Sequence, residues 1–222
     1  MNRSTRFLTA SAVVAALGAP LAASASPVNI SFTRINPANA PVNPASQFNA
    51  LVNQVSGTQV SFRFTNTAVI ASSVSEIYYD SRGTSPLLTL VTPLIQSGAN
   101  FVGGGANPGN LPGGQNLSVP FQAVAGFSAD ATGNPSNGLD VATDFVEMRF
   151  NLATGRTYAD LLNALANGDL RLGLHVRAIQ GPNGGDWSDS FVNNPYVIPL
   201  PPAAATGLAM LGVLAIRRLR AR

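Results

Sequence analysis

His175 is the only histidine among 222 residues, and there is no cysteine. Zinc takes three or four ligands, mostly His and Cys, so a zinc centre is nearly excluded on composition. As a general base, His175 would stand on the polar face of an alternating stretch that also carries Arg171 and Arg177. Neighbouring cations favour the neutral imidazole that a base requires. A Ser-His-Asp hydrolase also needs a serine on a sharp turn, and the chain has no Gly-x-Ser-x-Gly. Gly126-Phe127-Ser128-Ala129-Asp130 lacks the second glycine, and Asp186-Trp187-Ser188-Asp189-Ser190 contains the right residue types without a motif. The expectation is a chain with no catalytic residues and no cofactor. A secreted hydrolase using His175 is one alternative.

Other chemistry is equally sparse. Asp130, Asp140 and Asp144, with Asn134 and Asn137, put hard oxygen ligands in or beside one loop. They are calcium candidates, but their spacing is not that of an EF-hand, and Asn/Asp/Gly loops are ordinary turn chemistry. No metal is therefore expected. Glu76 and Glu147 are the only glutamates, and glycoside hydrolysis would need two facing carboxyls roughly 5–9 Å apart. A carbohydrate- or exopolysaccharide-binding module is a second alternative. Its stacking candidates are Trp187, Tyr78 and Tyr79, although an aromatic on an alternating strand belongs more often to a core. Gly103–Asn116 holds six Gly and two Pro in 14 residues. Pro108 falls where a phosphate cradle needs glycine and no lysine is present, so the expectation is a mobile surface loop.

These residues must be positioned by strands. Val60, Phe62 and Phe64 alternate with Ser61, Arg63 and Thr65. The same period of two runs through Val146–Leu152 and Leu170–Arg177, and it puts one face in a core and the other in water. Weaker strand candidates are 28–33, 47–55, 74–80, 87–91, 117–127 and 187–192. Gly/Pro/Asn turns lie between them. The fold class expected is all-β, a β-sandwich (jelly-roll or Ig-like) of about 8–10 strands with one short helix. Thr157 caps that helix, Asp160 supports its first turn, Leu161, Leu162 and Leu165 form its apolar stripe, and Gly168 stops it. A helix of this kind would cover one open end of the sandwich.

Whole-chain charge misleads. The 13 cations are all Arg, and with ten acids they give a net charge of +3. Arg3, Arg6, Arg217, Arg218, Arg220 and Arg222 lie at the two ends, leaving seven Arg against all ten acids between them. The middle therefore carries about −3, with no basic patch for nucleic acid. Residues 1–25 have the build of a signal peptide: two Arg, the apolar stretch Phe7–Leu21, then Ala23-Ser24-Ala25 as a small-x-small cleavage site. Signal peptidase is the partner this implies, with a mature start at Ser26. Residues 26–196 form one domain.

Residues 197–222 make up the tail. Val197–Ile216 carries no charge, and prolines 199, 201 and 202 confine any helix to 203–216, a short transmembrane span with an Arg cluster at 217–222. Arginines beyond a span stay on the cytoplasmic side. Ile198-Pro199-Leu200-Pro201-Pro202, followed by that span and by Arg217, Arg218 and Arg220, resembles the PEP-CTERM class of bacterial sorting tails in its Val-Pro-Leu-Pro-Ala variant. The family's Pro-Glu-Pro core stands here as Pro199-Leu200-Pro201, without the Glu. The resemblance implies an exosortase-type transpeptidase as partner and a host that makes exopolysaccharide. It implies an exported protein, transiently membrane-anchored and then at the cell surface, in the outer envelope or in the matrix. The middle is similar, through Ile70–Asp80, Gly126–Asp130 and Leu172–Val176, to a group of secreted proteins with the same tail, and that likeness implies no activity.

Overall fold

The computed structural model describes residues 26–36, 40–82, 87–124 and 126–195. Ten strands and one helix follow in chain order: β1 (Val28–Arg34), β2 (Phe48–Gln54), β3 (Gln59–Asn66), β4 (Ser73–Ser81), β5 (Leu88–Ser97), β6 (Phe101–Gly103), β7 (Ala129–Ala131), β8 (Phe145–Leu152), α1 (Tyr158–Asn167), β9 (Leu170–Gln180) and β10 (Asp186–Asn193). All pairings are antiparallel, in the order β5-β8-β3-β2-β1-β10-β9-β4-β7-β6. The first half of β1 pairs with β2 and its second half with β10, so one strand joins two halves of a single curved sheet. The two outer strands nearly close it. The Gln96 amide on β5 donates to the Phe101 carbonyl at 3.1 Å and accepts from its N–H at 2.7 Å.

The molecule is thus mostly β, a nearly closed barrel-like sheet with one helix. The period-2 stretches are β3, β8 and β9, and Val60, Phe62, Phe64, Val146, Met148 and Phe150 are all buried. Rings from opposite halves meet inside: Phe62 lies 5.3 Å from Tyr79, Tyr79 4.8 Å from Phe150, and Phe48 5.0 Å from Phe191. Edge-to-face aromatic pairs of this kind add to the burial that holds such a core together.

The helix runs as its sequence dictates. Thr157 Oγ1 accepts from the Asp160 N–H at 3.2 Å, the Asp160 carboxylate accepts from the Thr157 N–H at 2.8 Å, and Gly168 ends the helix at φ +75°. The Thr157 N–H and, at 2.8 Å, the Thr157 hydroxyl both donate to the Asp160 carboxylate and hold it below its ordinary pKa. Leu161 and Leu165 reach the core, and the helix connects β8 in one half to β9 in the other.

One expectation needs correction. Residues 117–127 form no strand among the described residues; they are irregular, with Phe121 buried. The glycine-rich loop is mostly exposed, as a surface loop, but is anchored on the sheet through Leu111 and Gly114. Leu111 and Phe121 close over Tyr78 and Val192 on the outer face of β4, β9 and β10. Gly173 lets them approach closely: a Cβ there would stand 3.0 Å from both Leu111 and Phe121, so either side chain would have to give by a few tenths of an ångström. Residues 1–25 and 196–222, and with them the signal peptide, the sorting motif and the C-terminal apolar helix, lie outside the described residues. Among the described residues, no helix is long and apolar enough to cross a membrane.

Candidate functional site

The covered outer face of β4, β9 and β10 gathers most of the chemistry. Register puts Glu76 opposite His175, and His175 opposite Ser190. His175 Nδ1 lies 2.6 Å from Glu76 Oε2, with the carboxylate almost wholly buried and the imidazole largely so. Ser190 is fully buried and its Oγ has no hydrogen-bond partner. A Ser-His-Glu set would need the hydroxyl at Nε2, and no hydrogen bond joins the two side chains. The row reads chemically as a buried polar clasp.

The loop is tied to the same face. Tyr78 Oη donates to the Pro108 carbonyl at 2.8 Å, and the Asn107 N–H donates to Asp130 at 3.2 Å. Burial, then the charges of Glu76 and Asp130, push the Tyr78 phenol well above its ordinary range. Arg171 pairs with Asp80 through Nε at 2.9 Å and donates to the carbonyls of Val119 and Pro120 at 2.9 and 2.6 Å. Its guanidinium also lies 5.1 Å from the centre of the Phe121 ring. Inside the barrel, burial alone raises Tyr79, whose hydroxyl is unpartnered. At the end of β1, Arg34 pairs with the buried Asp189 and donates to the Ala40 carbonyl at 2.5 Å.

The remaining sequence candidates scatter. Asp130 sits on β7, opposite Glu76. Asp140 and Asp144 lie together before β8, where the Asp144 carboxylate accepts from the N–H groups of Asp140 and Val141 at 3.3 and 3.2 Å. Burial, then the hydrogen bond and charge of Asp144, raise the Asp140 carboxyl. Among the described residues, no three His, Cys, Asp or Glu side chains are grouped to hold a metal. Glu147 pairs with Arg149 at 2.8 Å on β8, in the other half from Glu76. The half-buried Trp187 ring lies against Gly181, Gly185 and the core, so the protein itself fills much of the space around it.

Sequence reasoning missed that Glu76 partners His175. Both occupy polar positions of their strands, but only the register brings them together. It also missed an open groove of about 420 Å³ where the start of β4, the loop 132–140 and the β9–β10 hairpin meet, lined by Asp140 and Asp186 among others. No protein-family model, curated protein or solved structure matches the chain.

Proposed function

We propose that this chain is an exported, non-catalytic surface or matrix protein: a signal peptide, one β domain and a PEP-CTERM-like tail that an exosortase-type transpeptidase processes. The observation that carries the reading is the tail. Pro199-Leu200-Pro201-Pro202, a run whose composition favours extended backbone, precedes a stretch of 14 residues, five of them Ala and two Gly, which is followed by four Arg in six residues. Such a span can halt translocation yet is a poor permanent anchor, which suits a substrate that is held briefly and then cut. The finer fold reading is a flattened sandwich whose two sheets share β1. With no cysteine, an exported domain of this kind is held by its core alone, without disulfides. The buried charges support the non-catalytic half, since Arg34, Arg171 and His175 each face a carboxylate inside the fold.

The test is to replace Arg217, Arg218, Arg220 and Arg222 with Gln in the host. Unprocessed, folded protein should appear in the medium, with the circular dichroism spectrum of the parent. Retention of the variant at the surface at the parental level would overturn the reading.

A further inference from the structure

We propose that the groove between β4, the 132–140 loop and the β9–β10 hairpin is a binding site for a neutral saccharide, gripped by Asn134, Ser136, Asp140, Gln180 and Asp186. All five line it, at a volume of about 420 Å³, inside the range of roughly 300–1,000 Å³ for small-molecule sites.

The walls are fixed by the fold. Leu139 and Val74 exchange backbone hydrogen bonds at 3.0 and 3.1 Å, which fastens the loop to β4. Gly138 lies so close to Ser73 and Val74 that a methyl group there would overlap both. Bulges interrupt β4 between Val74 and Glu76, and the β9–β10 pairing between Trp187 and Asp189. Ala178, on the groove wall, sits at φ +52°, a left-handed conformation unfavourable for a non-glycine residue and held by its surroundings. Bulges re-aim side chains, and here they flank the groove on two sides.

The polar groups facing the groove have unused capacity. Asn134 Oδ1 accepts from the Ser136 N–H at 3.2 Å, and its amide NH₂ has no partner among the described residues. Gln180 donates its amide to Asp186 Oδ1, leaving Gln180 Oε1 and Asp186 Oδ2 open. Ser136 is exposed at the groove, while the half-buried Asp140 carboxyl is hydrogen-bonded to Asp144. Donors and acceptors thus converge from three segments.

A sugar hydroxyl both donates and accepts, so vicinal hydroxyls match a carboxylate beside an amide. Among the described residues no Arg lines the groove, and two carboxyls do, so an anionic ligand is disfavoured. The apolar lining is limited to Ala71, Pro135 and Ala178, too little to seat an aromatic or aliphatic ligand.

The site owes to the export reading only the setting in which the ligand is met. Binding by purified protein tests the groove; processing of the chain ends tests export. The experiment titrates the full chain with a panel of neutral oligosaccharides (gluco-, galacto- and manno-configured) by calorimetry and by amide chemical shifts. At least one sugar should bind saturably, with shifts centred on residues 71–73, 134–140 and 178–186. Asn134→Ala and Asp186→Ala should each weaken it about tenfold, the size expected for one hydrogen bond to a charged or well-placed group. Their melting temperatures report folding, and the shift map in the unsubstituted protein stands even if a variant unfolds. The proposal is overturned if no sugar binds at millimolar concentration, if shifts map elsewhere, or if folded variants bind as the parent does. It is also overturned if the groove takes Ca²⁺ alone and no sugar.

Discussion

Along β8 buried and water-facing side chains alternate, whereas in β4 eight consecutive residues, Ser73–Asp80, are buried. Both strands contribute to one interior, Phe150 and Tyr79 lying 4.8 Å apart. The difference is on their outer sides. The outer face of β8 and β3 carries Arg63, Glu147 and Arg149, with the Arg63 guanidinium 3.5 Å from the centre of the Phe145 ring. The outer face of β4, β9 and β10 is roofed by a segment from a stretch, 83–129, that has no charged residue in 47. Charged groups on the roofed side are therefore pressed into pairs such as Glu76–His175 and Asp80–Arg171. A buried charge without a partner is costly, so the roof and the pairs require each other.

The first way to break this comparison is on the open half. Phe62→Ala should cost about 3–5 kcal/mol, because its ring meets Tyr79 and Phe150 in the core. Arg63→Ala, one residue on and facing out, should cost under half of that, both read by urea denaturation. Equal costs would contradict the register of β3 with β8.

The roof provides the next largest effect. Phe121→Ala should cost about 3 kcal/mol and raise hydrogen exchange of the amides of residues 104–124 and 171–175 while leaving β3 and β8 protected. If the segment were a loose cover, the substitution would cost little and exchange there would already be fast. That outcome would return the segment to the mobile loop its composition suggests.

This part of the fold was not legible, for a physical reason. The strands announced themselves through alternation, and α1 through Thr157, Asp160 and Gly168, because local geometry imposes those patterns. A roof of irregular backbone has no period. Leu111 and Phe121 are isolated among Gly, Pro and Asn, and nothing local says that Gly173, on another strand, is the surface they meet. The three-residue β6 and β7 were missed for the same reason. His175 and Trp187 were visible as residue types, but the partner of the first and the packing of the second come from long-range pairing alone.

A paired substitution sharpens the contrast at smaller scale. Gly173→Ala beneath the roof should cost about 1–2 kcal/mol by pushing on Leu111 and Phe121. Asn151→Ala on the exposed face of β8 should stay within about 0.5 kcal/mol. Thermal melts of the two proteins side by side decide it.

The smallest effect concerns pH. The folded state holds the Asp140 proton to higher pH than the unfolded chain does, because burial and Asp144 raise it. The native state then binds more protons over that window, so stability falls as pH rises from the ordinary aspartate value through the raised one. Asp140→Asn should remove that decline, stabilising slightly at neutral pH and not below pH ~3, as followed by denaturation at each pH. A decline in the variant as large as in the parent would show that another group causes it.

The export reading meets its most direct test in the terminal peptides of protein recovered from the host's surface. Mass spectrometry should find a chain that begins at Ser26 and lacks Arg217–Arg222 when the matching exosortase is present, and that retains them when its gene is deleted. Recovery of surface protein that still carries Arg217–Arg222 in the exosortase-positive host would contradict it and leave the tail an ordinary membrane anchor.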